Sequence, residues 1–218
     1  MFHDKFSLAR LIDHALLAPD LTDRQIADGL ALAREARCFA ACVHSADVET
    51  ASHLLEGSNT AVCAVVGFPL GRQTALLKAR EAEMAYRKGA AELDLVPNIG
   101  LLKSGRHSAL RAEIETVINA APIPIKVILE TCYLTDAEKI AACQVALAAG
   151  AKFVKTSTGF GPGGATVEDV ALLRKTVGDK MGVKAAGGIG TLDVIRQMID
   201  AGANRIGTSR TITILNDL

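Results

Sequence analysis

Gly150-Ala151-Lys152-Phe153-Val154-Lys155 has two echoes elsewhere in the chain, Gly89-Ala90-Ala91-Glu92-Leu93-Asp94 and Gly202-Ala203-Asn204-Arg205-Ile206-Gly207. Each reads as a Gly-Ala closing a helical stretch, then a short strand that delivers a notable residue five positions after the glycine. Glycine suits the left-handed position just past a helix, and the apolar run after it reads as a buried parallel strand. Working outward from these repeats, strand candidates fall at 9–13, 39–44, 60–67, 92–97, 124–130, 153–157, 182–186 and 204–208. Helix-period segments lie between them, among them Thr22 to Arg37, Thr74 to Lys88, Thr135 to Ala149 and Thr166 to Val177. Thr135-Asp136-Ala137-Glu138 has the spacing of a capping box. Strands and helices alternate with no linker-like break, which predicts one (β/α)8 TIM barrel, a single domain over residues 1–218. A doubly wound open sheet is the alternative.

Three lysines sit where lysine is normally excluded, inside apolar strand-like runs. They are Lys126 in Ile125-Lys126-Val127-Ile128, Lys155 in Phe153-Val154-Lys155, and Lys184 in Val183-Lys184-Ala185, at equal intervals of 29 residues. A buried ammonium must be paired or neutral, because leaving it charged and alone costs several kcal/mol. A neutral lysine is a nucleophile, and adjacent cations lower one another's pKa. In a barrel, active residues cluster at the C-terminal strand ends, and Lys126, Lys155, Lys184 and Asp94 all fall within or near those ends. Strand alternation places Lys126, Ile128 and Glu130 on one face, and Phe153, Lys155 and Ser157 on one face. A single lysine would read as a side chain snorkelling to solvent. Three with an aspartate read as an amine-based active site in which Asp94 balances charge and relays protons.

Glycine-rich turns follow the late strands: Thr158-Gly159, Gly187-Gly188 and Gly207-Thr208-Ser209. Successive backbone N–H groups near a helix start bind phosphate, and barrels commonly build such a site after strands seven and eight. The histidines, His3, His14, His44, His53 and His107, show no metal-site spacing, so a metal-dependent reaction is poorly supported. His14 and His44 each follow an expected strand and read as ordinary hydrogen-bonded histidines. No nucleotide-binding glycine motif is present.

Lys plus Arg and Asp plus Glu both number 24, so the formal charge is zero and non-specific nucleic-acid binding is not expected. Any anion site must be local. The five cysteines are odd in number and lack Cys-x-x-Cys spacing, which argues against a disulfide framework or zinc knuckle. Most sit in apolar runs and read as inert buried thiols. No signal-peptide pattern or membrane-length apolar run is found, so a reducing cytoplasm is the expected compartment.

Longer stretches carry a family resemblance: Leu11-Ile12-Asp13-His14, Val66-Gly67-Phe68-Pro69-Leu70-Gly71, Glu92-Leu93-Asp94-Leu95-Val96 and Lys126-Val127-Ile128-Leu129-Glu130-Thr131-Cys132. Further on come Phe153-Val154-Lys155-Thr156-Ser157-Thr158-Gly159-Phe160-Gly161, Gly163-Gly164-Ala165-Thr166, Val183-Lys184-Ala185 and Arg205-Ile206-Gly207-Thr208-Ser209. The chain resembles deoxyribose-phosphate aldolases over nearly its whole length. The resemblance implies a class I aldolase of deoxyribonucleotide catabolism that needs no cofactor or metal. Such an enzyme reversibly splits 2-deoxy-D-ribose 5-phosphate into acetaldehyde and D-glyceraldehyde 3-phosphate. It further implies that Lys155 forms the Schiff base, that Lys184 eases its deprotonation and moves protons, and that Asp94 is a proton donor or acceptor acting with a water. Lys126 and Asp13 support them. The phosphate falls to Gly159, Gly187, Gly188, Gly207 and Ser209, with small sugar phosphates and aldehydes as the partners, no nucleic acid or membrane, and a homodimer or higher homo-oligomer as the expected assembly.

Four positions depart from the family's usual residues: Ala15, Pro97, Gly190 and Arg210. An arginine is usual at 190 and a small residue at 210, so Arg210 is expected to restore the charge missing at Gly190. Two other readings remain at this stage: another Schiff-base aldolase of small phosphorylated sugars, and a non-catalytic sugar-phosphate-binding barrel.

Overall fold

The computed structural model describes Phe2 and residues 4–218. His3 lies outside the described residues. In chain order the elements are α1 (Lys5–Ala9), β1 (Ile12–Leu16), α2 (Asp23–Glu35), β2 (Ala40–Val43), α3 (Val48–Leu54), β3 (Ala61–Val66), α4 (Ala75–Arg87), β4 (Glu92–Leu95), α5 (Ile99–Lys103) and α6 (His107–Ala120). There follow β5 (Ile125–Ile128), α7 (Asp136–Ala149), β6 (Phe153–Lys155), α8 (Val167–Val177), β7 (Gly182–Ala186), α9 (Leu192–Asp200), β8 (Arg205–Thr208) and α10 (Thr211–Asn216). Every strand pairs in parallel with the next, and β1 closes on β8 with Ile12 opposite Ile206. The expected TIM barrel is therefore present, and the open sheet is excluded by that closure.

Local chemistry explains the element ends. A threonine side chain accepts a backbone N–H in the first turn of α2, α4, α7, α8 and α9, satisfying a donor that the helix itself leaves open. The capping box at α7 is reciprocal: Glu138 N donates to Thr135 Oγ1 at 3.4 Å, and Thr135 N donates to Glu138 Oε2 at 2.8 Å. Gly89, Gly150 and Gly202 have φ of 104°, 92° and 109°, the left-handed turn that each repeat requires before its strand.

One strand differs in position. The first was expected at 9–13 and lies at Ile12–Leu16. Leu8 and Ala9 bury their side chains from the short α1 instead, whose start is capped by Asp4 Oδ1 accepting from Ser7 N at 2.7 Å. The fourth, fifth and sixth strands end earlier than their apolar runs, because Asn98 caps α5, Glu130 turns left-handed, and the run after Lys155 forms an irregular loop.

Alternate strand residues separate into two layers. Val43, Val66, Leu95, Val127, Val154 and Ile206 join helix residues in the main apolar core. Ala40, Cys42, Cys63 and Val65 form a smaller apolar group on the opposite face, within the barrel. Much of the remaining interior is charged: Asp13, Glu92, Asp94, Lys126, Lys155, Lys184 and Arg205 are all buried. Barrel interiors are more often filled by branched apolar layers, so this charge needs internal partners.

Close packing at the barrel wall leaves no room for a side chain at Gly182. A methyl on Gly182 would overlap the ring of Phe153, its register partner on β6. Gly182→Ala is expected to destabilise the fold by about 1–3 kcal/mol, the usual cost of overpacking, as measured by urea unfolding. An unchanged midpoint would contradict this packing.

Candidate active site

Strand alternation turns Glu92 and Asp94 into the barrel while Leu93 and Leu95 face the helices. Register then sets Lys126 opposite Asp94 and Lys184 opposite Lys155. The result is a cluster centred on Asp94. Its Oδ2 accepts from Lys155 Nζ at 2.8 Å and from Lys184 Nζ at 2.7 Å, and its Oδ1 accepts from Lys126 Nζ at 3.0 Å. Lys184 Nζ also lies 2.6 Å from Asp13 Oδ2, an ion-pair contact whose angle is poor for a hydrogen bond. Lys126 Nζ is 2.8 Å from Glu92 Oε2. Lys155 has Asp94 as its only carboxylate partner among the described residues.

Glu92 and Arg205 complete the cluster and were missed in the sequence. Arg205 Nη1 donates to Asp13 Oδ1 at 2.8 Å and approaches Glu92 Oε2 at 3.4 Å, and its guanidinium carbon lies 3.2 Å from the Phe39 ring centroid. Their signal was available: Glu92 stands two residues before Asp94 and Arg205 two before Gly207, so each shares the inward face with a residue already singled out.

Burial alone would raise the Asp94 carboxyl, yet Lys126, Lys155 and Lys184 hold it well below the usual carboxylate range. Asp13 is equally desolvated, and Lys184, Lys126 and Arg205 bring it down to about 2. Desolvation pulls Lys126 and Lys184 the other way, and the neighbouring carboxylates, Asp94 first for Lys126 and Asp13 first for Lys184, outweigh it and hold both above the ordinary lysine range. The expectation that clustered lysines depress one another is thus reversed for these two, because carboxylates sit between them. Four cations (Lys126, Lys155, Lys184, Arg205) face three carboxylates (Asp13, Glu92, Asp94), leaving one positive charge in excess.

A cavity of about 780 Å³ opens over the cluster, and Asp13, Lys155 and Lys184 border it. Asp94 and Lys126 are fully buried and do not border it; Lys126 is the second residue of its strand, deeper than the strand-end position expected for it. All of the residues assigned to phosphate, Gly159, Gly187, Gly188, Gly207, Ser209 and Arg210, do border it. Gly187 and Gly188 are left-handed, with φ of 89° and 76°, and Ala165 N donates to Gly187 O at 3.0 Å. Arg210 lies against Gly190: a Cβ at 190 would stand 3.2 Å from Arg210 Cδ. The two departures are therefore neighbours in space, on the turns after β7 and β8.

Neither His14 nor His44 joins the cluster, though His14 borders the cavity. His14 lies within β1, its Nδ1 2.9 Å from Thr211 Oγ1, and burial lowers its pKa to about 4; His44 Nε2 is 3.0 Å from Leu17 O. Cys42, Cys63 and Asp94 bring two sulfurs and an oxygen within 4.8 Å of one another, the one potential metal-ligand group among the described residues. A metal ion there would meet Asp94 oxygens already held by three ammonium groups, so the donor set does not fit one. No helix among the described residues is long and apolar enough to cross a membrane.

A parallel barrel with a lysine-carboxylate cluster under a cavity at its mouth is the layout of a barrel enzyme. The family model for DeoC/LacD family aldolases matches residues 8–214. A deoxyribose-phosphate aldolase of Methanothermobacter thermautotrophicus is 52% identical over 214 residues, covering 95% of this chain and 93% of that protein. One from Caldanaerobacter subterraneus subsp. tengcongensis is 49% identical over 215 residues, covering 97% and 93%. Among solved structures, the tetrameric deoxyribose phosphate aldolase from Aeropyrum pernix is 31% identical, with a TM-score of 0.92 over 98% of this chain and 92% of that one. The chain belongs to the DeoC/LacD aldolase family.

The shifted groups set the acid stability. His14 has a lowered pKa in the fold, so its contribution is complete above about pH 6.5 and is lost as pH falls toward 4. Asp13 is lowered as well, and its contribution is complete above about pH 4 and lost toward 2. The His14 window is worth at most about 3 kcal/mol, so Tm should fall by roughly 5–10 °C between pH 7 and 4.5. His14→Asn should flatten that slope. Equal slopes in the two proteins, followed by calorimetry, would refute the assignment.

Proposed function

We propose that this protein is a deoxyribose-phosphate aldolase, reversibly cleaving 2-deoxy-D-ribose 5-phosphate to acetaldehyde and D-glyceraldehyde 3-phosphate with Lys155 as the Schiff-base residue. The observation that carries this reading is the position of Lys155: it borders the cavity, it holds a single carboxylate partner, and it belongs to a cluster with one cation too many. Discharging Lys155 leaves three cations against three carboxylates. The freed amine attacks the substrate's aldehyde carbon, and loss of water gives the imine. Once protonated, the imine accepts the electron pair of the breaking carbon–carbon bond, so cleavage leaves an enamine and not a free carbanion. The glyceraldehyde phosphate departs as its hydroxyl proton is taken up. Protonation and hydrolysis of the enamine then release acetaldehyde and restore the lysine.

Asp94 and Lys184 are the groups beside that amine, and both lie within hydrogen-bond reach of it or of its partner oxygen. In this reading they move protons together with a water. Lys126 and Asp13 hold the two ends of the cluster in place. The backbone of Gly159, Gly187, Gly188, Gly207 and Ser209 receives the phosphate, with Arg210 supplying a charge. Residues 1–218 act as one functional unit, and the tetrameric relative supports assembly into a homo-oligomer. The relatives' shared activity supports the substrate.

Borohydride reduction in the presence of acetaldehyde should add a two-carbon label at Lys155, located by peptide mapping, and Lys155→Ala should neither label nor turn over. Label at Lys126 or Lys184 would contradict the assignment. A charge-assisted hydrogen bond contributes about 1.5–3 kcal/mol, so Arg210→Ser should raise KM for the phosphorylated sugar by roughly ten- to a hundredfold. Cleavage of unphosphorylated 2-deoxyribose should change little. Equal effects on both sugars, or none on either, would remove Arg210 from the phosphate site.

A further inference from the structure

Glu130 is buried at 3% exposure and stands outside the ion pairs of the lysine cluster, which all run to Asp13, Glu92 and Asp94. Its backbone is left-handed, with φ 53° and ψ 64°, a conformation that residues with a Cβ adopt at a cost. Simple strand alternation would turn Glu130 toward the face of Lys126. The left-handed turn instead brings its carboxylate to the loop that follows the nucleophile's strand.

There both oxygens are used. Thr158 N donates to Glu130 Oε1 at 3.1 Å, and the Thr158 hydroxyl donates to Oε2. The same hydroxyl oxygen accepts from Phe160 N at 3.0 Å. On either side of Glu130, Leu129 N donates to Lys155 O at 2.8 Å and Thr131 N donates to Thr156 O at 3.0 Å. Gly161 packs directly on the carboxylate: a Cβ there would lie 3.2 Å from Glu130 Cδ. Lys155 O, Thr156 O and Thr158 N therefore find their partners just past β5, while Thr156 N donates to Lys184 O of β7, as buried irregular backbone must be paired. Thr158, Gly159 and Phe160 are in turn part of the cavity wall.

We propose that Glu130 is a positioning residue of this site, its carboxylate fixing Thr158–Phe160 and thereby the part of the cavity that receives the phosphate end of the substrate. The role rests on the reading of the protein as an aldolase of a phosphorylated sugar. It does not place Glu130 in contact with substrate. Glu130 itself does not border the cavity, and both of its oxygens are taken up by Thr158. The left-handed turn at 130 is what brings the two carboxylate oxygens onto the two Thr158 donors.

Two substitutions separate the side chain from the strained backbone. Glu130→Gly relieves the left-handed turn and removes the acceptor, so the variant keeps the backbone geometry that the fold demands. Glu130→Gln keeps one acceptor oxygen. Steady-state kinetics of wild type and both variants would be measured with 2-deoxyribose 5-phosphate and with 2-deoxyribose. We expect Glu130→Gly to raise KM for the phosphorylated sugar tenfold or more, with an effect on kcat/KM for the free sugar of threefold or less. Glu130→Gln should recover most of the lost KM. Wild-type KM in Glu130→Gly, equal losses on both sugars, or a glutamine variant no better than the glycine variant would each overturn the role. Failure of the wild type itself to cleave the phosphorylated sugar would instead overturn the aldolase reading, so the two failures are told apart.

Discussion

Asp94 carries three ammonium groups on two oxygens and is itself fully buried in the middle of the barrel. Each buried charge costs several kcal/mol to desolvate, and removing one member of such a pair typically costs about 3–5 kcal/mol. The lysines can be inside only because Asp13, Glu92 and Asp94 are inside with them. Asp13 and Asp94 stay ionised there because the lysines and, for Asp13, Arg205 surround them. The barrel supplies the geometry. Parallel register sets Asp94 opposite Lys126 and Lys155 opposite Lys184, and closure of β1 on β8 brings Asp13 between Lys184 and Arg205.

That cluster is unequally held. Lys126 has Glu92 and Asp94 in close contact, and Lys184 has Asp13 and Asp94, so both are kept protonated. Lys155 shares Asp94 Oδ2 with Lys184 and borders the cavity. The same strand ends that place these side chains also start the loops around the cavity. Glu130 fixes one of those loops, and the left-handed glycines at 187 and 188 open another. The charged cluster and the cavity wall above it are therefore built from adjacent residues of the same strands and loops.

Much of this was legible in the chain itself. The Gly-Ala repeats set the strand spacing, since the left-handed glycines before β4, β6 and β8 are strong local constraints. Lysines inside apolar runs pointed to a buried charged cluster, because their burial demands partners, and the structure supplies them. The first strand was misplaced because Ser7-Leu8-Ala9-Arg10-Leu11-Ile12 carries apolar residues that suit a helix face or a strand equally well, and only the Asp4 cap decides between them. Glu92 and Arg205 were overlooked because each stands near a more conspicuous residue. The upward shifts at Lys126 and Lys184 depend on which carboxylates lie between the cations, a matter of three dimensions. Glu130 could not be placed from alternation, since one left-handed residue breaks the period of two.

The surplus positive charge is the central claim, and it is tested most directly by the pH dependence of imine formation with acetaldehyde in wild type and in Lys184→Leu, trapped by borohydride. Without Lys184, three cations face three carboxylates, and Lys155 is no longer the charge in excess. We expect the variant to form the imine more slowly near neutrality, because with Lys184 gone there is one neighbouring cation fewer to favour the discharged amine of Lys155. Its rate at pH 7 should fall at least tenfold and recover in part at high pH. A profile that coincides with that of the wild type would contradict the claim.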